Sequence, residues 1–174
     1  SLGMPTYFVS HAWQSLFVKL VDALRAELAG ASRESTLLWL DIFAVNQDDT
    51  GGSSTAMVEL DDGRTLERSI EASAQTLVVL DKERVYPLTR LWCLHEIGST
   101  PSQKLRLVTQ GFGERDVAMH VGRIDAASAR CFSEDDRVMI NGRIERQFGS
   151  VARFTDELRL RFLLRPISYE ADRA

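Results

Sequence analysis

The sequence predicts an α/β fold in which helices cover both faces of a parallel sheet. Short runs of apolar, aromatic and β-branched residues, which are typical of buried strands, recur along the chain. Segments with apolar residues at helical spacing lie between these runs. A strand, a helix and a second strand in succession form a βαβ unit, and the two strands of such a unit run parallel.

The first βαβ unit occupies the N-terminal quarter of the chain. Residues 6–10 are aromatic and β-branched and predict the first strand. Residues 16–28 carry one apolar stripe at helical spacing and are followed by Gly30, which predicts a helix and its end. Residues 36–43 are almost continuously apolar and predict a second strand that is buried on both faces.

Strand and helix patterns continue to alternate after a long polar segment. Residues 46–62 are rich in turn formers and predict a loop. The following patterns predict a helix at 65–74, a third strand at 76–80, a short helix at 91–97, a fourth strand at 105–109 and a fifth strand at 117–121.

Two further helices are predicted near the C-terminus. Ser133 and Asp136 have the spacing of a capping box, and they begin a helix that ends at Gly149. An amphipathic helix follows at 151–164 and is stopped by Pro166. Five strands alternating with helices predict a flavodoxin-like doubly wound sandwich with a five-stranded parallel sheet, strand order 2-1-3-4-5, and extra C-terminal helices.

Length and composition are those of one soluble globular domain. The 174 residues can bury a sizeable core, and the apolar fraction of 44% and charged fraction of 26% are ordinary. We expect a single domain excised from a larger protein, with a core at about 6–125 and a C-terminal helical segment at about 126–166. The net charge of −4 and the absence of a long apolar run predict a cytoplasmic protein with no nucleic-acid and no membrane partner.

Polar and aromatic side chains cluster near the predicted carboxyl ends of the first three strands, where open α/β sheets bind ligands. These residues are Ser10, His11 and Trp13 after the first strand, Asn46, Gln47 and Asp48 after the second, and Asp81 and Lys82 after the third. Trp92 and Glu96 are at i and i+4 of the short helix and share one face. An aromatic ring and a carboxylate suit a ligand with a flat ring and a developing positive charge. Alternatively, Glu96 is an exposed helix charge and Trp92 is a core residue.

Several common templates are missing. The chain has no Gly-x-Gly-x-x-Gly fingerprint, no P-loop and no Gly-x-Ser-x-Gly elbow. Its three histidines and two cysteines do not have the spacing of metal ligands. The sequence therefore predicts neither a Rossmann cofactor site nor a metal site.

Four segments resemble parts of TIR (Toll/interleukin-1 receptor) domains, over about residues 6–109. Tyr7-Phe8-Val9-Ser10-His11 is similar to the first TIR box. Leu40-Asp41-Ile42-Phe43, with the loop after it, resembles the second strand and BB loop, and residues 64–74 resemble the following helix. Trp92-Cys93-Leu94-x-Glu96-Ile97 is similar to the Trp-Cys-x-x-Glu-Leu stretch of plant TIR domains and is the most specific of these matches.

The resemblance implies an activity. Many TIR domains are NAD⁺ glycohydrolases, and their catalytic glutamate stands at the position of Glu96. The implied reaction cleaves the nicotinamide–ribose bond to give nicotinamide and ADP-ribose or a cyclic ADP-ribose, in innate-immune signalling or cell death. NAD⁺ is then the substrate, no cofactor is needed, and self-association with other TIR domains is expected. Substrate contacts would come from Ser10, His11, Trp13, Phe43, Asn46, Gln47, Asp81 and Trp92.

Two other functions remain open from the sequence. A TIR-type interaction module would use the same fold for homotypic contacts without turnover, and Glu96 would then be a structural charge. A nucleoside or nucleotide hydrolase of related architecture would keep Glu96 as its catalytic group.

The chain differs from TIR domains after the first strand. The segment Ala12-Trp13-Gln14 stands where TIR domains commonly have Asp-x-Arg.

Overall fold

A computed structural model of the protein describes residues 5–40, 65–80, 85–109 and 111–163. Within these ranges the chain is an α/β protein. The strands are β1 (Tyr7–Ser10), β2 (Leu38–Leu40), β3 (Gln75–Leu80) and β4 (Leu105–Thr109). The helices are α1 (Phe17–Glu27), α2 (Thr65–Ala72), α3 (Leu91–Ser99), α4 (Glu114–Gly122), α5 (Glu134–Phe148) and α6 (Val151–Leu163). Short 3₁₀ turns at Tyr86–Thr89 and Ser102–Lys104 precede α3 and β4.

The four described strands form one parallel sheet in the order β2-β1-β3-β4. This order agrees with the first four positions of the predicted order and is compatible with a flavodoxin-like fold. Ser10, the last residue of β1, pairs with Val78 of β3. The carboxyl ends of β1 and β3 are therefore neighbours, as the sequence predicts.

Helices pack against both faces of the sheet. Leu77 of β3 belongs to a buried cluster with Leu20 and Leu24 of α1. The next residue, Val78, belongs to a second cluster that includes Leu94 of α3. Because successive side chains of a strand point to opposite faces, the two clusters lie on opposite sides of the sheet. The predicted two-sided covering of the sheet is confirmed.

The strand β2 is less buried than its sequence suggests. Leu38 is exposed, and Trp39 and Leu40 are half-buried. The expectation of a strand buried on both faces is wrong for these residues. In the described sheet, β2 is an edge strand that pairs only with β1. The ring of Trp39 in β2 stacks on that of Phe8 in β1, with the ring centroids 4.6 Å apart.

The fifth strand predicted at 117–121 is wrong, because these residues lie in α4. Val117 and Val121 are both buried and stand at i and i+4, which is a helical spacing. At the start of α4 the carboxylate of Asp116 accepts a hydrogen bond from the backbone N–H of Gly113, at 3.0 Å. This local bond favours a helix start over an extended strand. The described residues thus hold four strands rather than five.

The C-terminal helices complete the larger of the clusters. The hydroxyl of Ser133 accepts a hydrogen bond from the backbone N–H of Asp136 and caps α5, as predicted. Gly149 ends α5 with φ of 87°, a left-handed conformation that favours glycine. The buried apolar side chains of α6, such as Phe154, pack in the same cluster as Leu94 of α3. Among the described residues, every helix is too short or too polar to cross a membrane.

Candidate functional site

One face of α3 forms a line of hydrogen bonds with the sheet. Cys93 and Glu96 lie on this face, and Thr100, which directly follows α3, continues the line. Their partners are, in the same order, the carbonyl of His11 at 3.4 Å, the hydroxyl of Ser10 at 2.5 Å and the hydroxyl of Thr76 at 3.0 Å. The helix therefore runs antiparallel to the strands, and Glu96 lies level with the end of β1.

The carboxylate of Glu96 is buried at the carboxyl edge of the sheet. The residue is 5% exposed, and Ser10 is fully buried. The Ser10 hydroxyl donates to Oε2 of Glu96 at 2.5 Å, a distance at the short end of the range for hydrogen bonds to carboxylates. The interpretation of Glu96 as an exposed helix charge is wrong. The carboxylate instead lies beside the neighbouring ends of β1 and β3, where the sequence predicts a site.

His11 ties the chain beyond β1 to the same helix. It is buried, and its carbonyl accepts the hydrogen bond from the thiol of Cys93, one turn before Glu96. The structure thus brings three of the predicted site residues together: Ser10, His11 and Glu96.

The two tryptophans have different environments. Trp92 is half-buried and packs against two buried clusters, the large one around α3 and a small one that contains Phe8. Its Nε1 donates to the carboxylate of Asp136 at 3.3 Å. These contacts favour the interpretation of Trp92 as a packing residue. Trp13 is 49% exposed and follows His11 by two positions, so it lies at the surface near the same edge. The other predicted substrate contacts, Phe43, Asn46, Gln47 and Asp81, lie outside the described residues, as do Asp48 and Lys82.

A second polar cluster lies on another side of α3. Nε2 of the buried His95 is 3.3 Å from Oε1 of Glu67, and the guanidinium of Arg143 donates to the same oxygen at 3.0 Å. The three residues join α2, α3 and α5. The sequence does not predict this cluster, because its three residues are far apart along the chain. The one signal was a histidine within an otherwise apolar helix.

This cluster controls the ionisation of Glu67. Burial, the largest influence, raises the pKa of the carboxyl. The hydrogen bonds with His95 and with the backbone, together with the charges of Arg143 and His95, lower it. The lowering effects prevail, so the pKa of Glu67 lies below its ordinary value. Glu67 is therefore a structural anion at neutral pH.

Comparison of the chain with models of protein families, with curated proteins and with solved structures gives no match.

Glu96 is the group in this region that suits chemistry best. No three His, Cys, Asp or Glu side chains within the described ranges are placed to hold a metal ion. Neither free cysteine is suited to act as a reactive thiolate. Cys93 is buried. At Cys131, partial burial and the nearby charge of Asp136 raise the pKa of the thiol. A carboxylate held by a hydroxyl at a sheet edge can stabilise a cation or accept a proton.

Proposed function

We propose that the chain is an NAD⁺ glycohydrolase of TIR type, with a flavodoxin-like TIR fold and with Glu96 as its catalytic carboxylate. The observation that carries the proposal is the buried Glu96 carboxylate beside the ends of β1 and β3, bonded to Ser10. Ligands of open α/β sheets bind at this edge. The similarity of Trp92-Cys93-Leu94-x-Glu96-Ile97 to the plant TIR stretch also supports it.

The proposed reaction breaks the bond between nicotinamide and C1′ of ribose. The bonding electron pair leaves with nicotinamide, which becomes neutral, and the ribose becomes an oxocarbenium-like cation. The negative charge of Glu96 stabilises this cation. Water then adds to C1′ and gives its proton to the carboxylate, which yields ADP-ribose. Attack on C1′ by a nucleophilic atom elsewhere in the same ADP-ribosyl cation, in place of water and with loss of a proton to the carboxylate, gives a cyclic ADP-ribose.

This function includes a cellular role. The protein would act in the cytoplasm in innate-immune signalling or cell death and would self-associate with other TIR domains. NAD⁺ would be consumed as substrate, with no further cofactor.

The test is nicotinamide release from NAD⁺, followed by chromatography with concentrated protein. Glu96→Gln keeps the shape of the side chain and its ability to accept from Ser10 but removes the negative charge. Loss of a catalytic acid–base group lowers rates by about 10²- to 10⁴-fold, and we expect a loss in this range. Glu145→Gln, the same change at an exposed position of α5, is the matched control and should release nicotinamide at the wild-type rate.

Equal NAD⁺ consumption by the wild type and Glu96→Gln, with both proteins folded by circular dichroism, would show that the catalytic assignment is wrong. Parallel reactions with free nucleosides would reveal a nucleoside hydrolase. In that case nucleosides are cleaved, NAD⁺ is not, and Glu96→Gln again abolishes the reaction.

A second candidate, a TIR-type homotypic interaction module without turnover, is supported by an exposed apolar stretch. Leu16, Phe17 and Val18 at the start of α1 are all exposed. Exposed apolar patches are typical of interaction sites. Analytical ultracentrifugation of the wild type and a Leu16→Ser/Val18→Ser variant tests this function. It predicts self-association that the variant weakens, together with no nicotinamide release at any protein concentration.

A further inference from the structure

We propose that Ser10 is a positioning residue whose hydroxyl orients the Glu96 carboxylate and favours its charged form. This inference rests on the catalytic role proposed for Glu96. It assigns to Ser10 a function that differs from the substrate contact implied by the resemblance to TIR domains.

The geometry commits the Ser10 hydroxyl to Glu96. The residue is fully buried, and Oγ is 2.5 Å from Oε2 of Glu96. A hydroxyl has a single proton to donate, and the carboxylate receives it. A substrate could receive this hydrogen bond only if the contact with Glu96 were broken.

The position of Ser10 is fixed by the backbone of the sheet. Ser10 is the last residue of β1 and pairs with Val78 of β3, and β1 lies between β2 and β3. The next residue, His11, accepts from Cys93, which precedes Glu96 by one helical turn. Strand end and helix are therefore joined at two adjacent points. The hydroxyl is preorganised, so the carboxylate need not be reoriented during the reaction.

The hydrogen bond also has an electrostatic consequence. A donor to a carboxylate stabilises its ionised form relative to its protonated form. The ionised form is the one that can stabilise an oxocarbenium-like cation and accept the proton of water. Removal of the hydroxyl should therefore leave a larger fraction of Glu96 protonated at a given acidic pH. Substrate binding should be little affected, since no substrate contact is lost.

The test compares the wild type with Ser10→Ala, using the full chain. Titration of the Glu96 side-chain carboxyl by ¹³C NMR, assigned with Glu96→Gln, needs no NAD⁺. We expect Ser10→Ala to raise the pKa of Glu96, because a hydrogen bond that stabilises the ionised carboxylate is lost. The acid limb of the kcat/KM profile for nicotinamide release, which reports ionisations of the free enzyme, should also move to higher pH, with KM at neutral pH unchanged within about twofold.

Thr76→Val is the matched control. It removes another buried hydroxyl from the interface between α3 and the sheet, and that hydroxyl contacts Thr100 rather than the Glu96 carboxylate. Its Glu96 titration and pH profile should match those of the wild type. If Ser10→Ala fails to fold, Ser10→Cys, which has nearly the same size and a weaker donor, should give a smaller rise in the same direction.

Three results separate the two proposals. An unchanged Glu96 titration in Ser10→Ala overturns the role of Ser10, whatever the activity. A raised KM with an unchanged pH profile also overturns it and makes Ser10 a substrate contact. If the Glu96 titration changes in Ser10→Ala but the wild type releases no nicotinamide, the hydrogen-bonding role of Ser10 stands and the proposed function is overturned instead.

Discussion

The packing of α3 against α6 depends on the absence of a side chain at Gly98. A Cβ at this position would lie 2.2 Å from Cε2 and 2.9 Å from Cζ of Phe154. Phe154 is fully buried, and its ring is a rigid group within the core. The contact cannot be relieved by bending a flexible side chain, so Gly98→Ala must separate the helices or displace the ring.

The expected cost follows from this overlap. Overpacking of a core costs about 1–3 kcal/mol, and a contact this close to a rigid buried ring places Gly98→Ala near the upper limit of about 3 kcal/mol. Alanine gains about 1 kcal/mol over glycine within a helix, which leaves a net loss of about 2 kcal/mol. For a domain of this size, 1 kcal/mol corresponds to about 2–4 °C, so Tm should fall by roughly 4–8 °C.

Thermal unfolding followed by circular dichroism measures the effect. Gly142→Ala in α5 is the control, because the nearest atom to its new Cβ would be the flexible end of Arg146, at 3.6 Å. The same chemical change should there raise Tm by about 2–4 °C through helix propensity alone. In Gly98→Ala/Phe154→Leu the smaller side chain should reduce the penalty of the alanine. A Tm of Gly98→Ala equal to or above that of the wild type would refute this close packing of α3 against α6.

Two further predictions concern Glu67 and Ser133. Because the pKa of Glu67 is lowered in the folded chain, its ionisation stabilises the fold above the unfolded pKa, and this stabilisation is lost as the pH falls through the folded value. The free energy of unfolding, measured with urea across acidic pH, should therefore fall less steeply in Glu67→Gln than in the wild type; equal slopes would contradict the contacts with His95 and Arg143. Ser133→Ala removes the cap of α5 and should cost about 1 kcal/mol, or roughly 2–4 °C in Tm, whereas Ser133→Asp should retain most of the stability.

Elements with an unambiguous pattern were predicted well from the sequence. The bounds of β4 agree with the prediction, and β3 begins one residue earlier than predicted. The predicted N-cap of α5 at Ser133 is confirmed. These elements are determined by local patterns: a short apolar run for a buried strand, or a hydroxyl before a helix.

The predictions from the sequence fail where local composition and tertiary context favour different structures. Val117 and Val121 suggested a strand by their β-branched side chains, yet their spacing of four residues is helical, and both are buried on one face of α4. The burial of Glu96 could not be predicted from the helix that contains it. It depends on Ser10, which is 86 positions away along the chain, and on a strand order that brings β1 beside β3.

The segments that resemble TIR domains end near residue 109, but residues beyond that point also hold α3, the helix that carries Glu96, in place. Asp136 of α5 accepts from Trp92, and Arg161 of α6 donates to the carbonyls of Gly98 and Thr100 at the end of α3. Phe154 fills the space that Gly98 leaves. The C-terminal helices therefore help to set the position of Glu96, although none of their residues lies in the resembling segments. A fragment that ends near residue 125 would lose all three contacts, so the activity of such a fragment would not measure the activity of this chain.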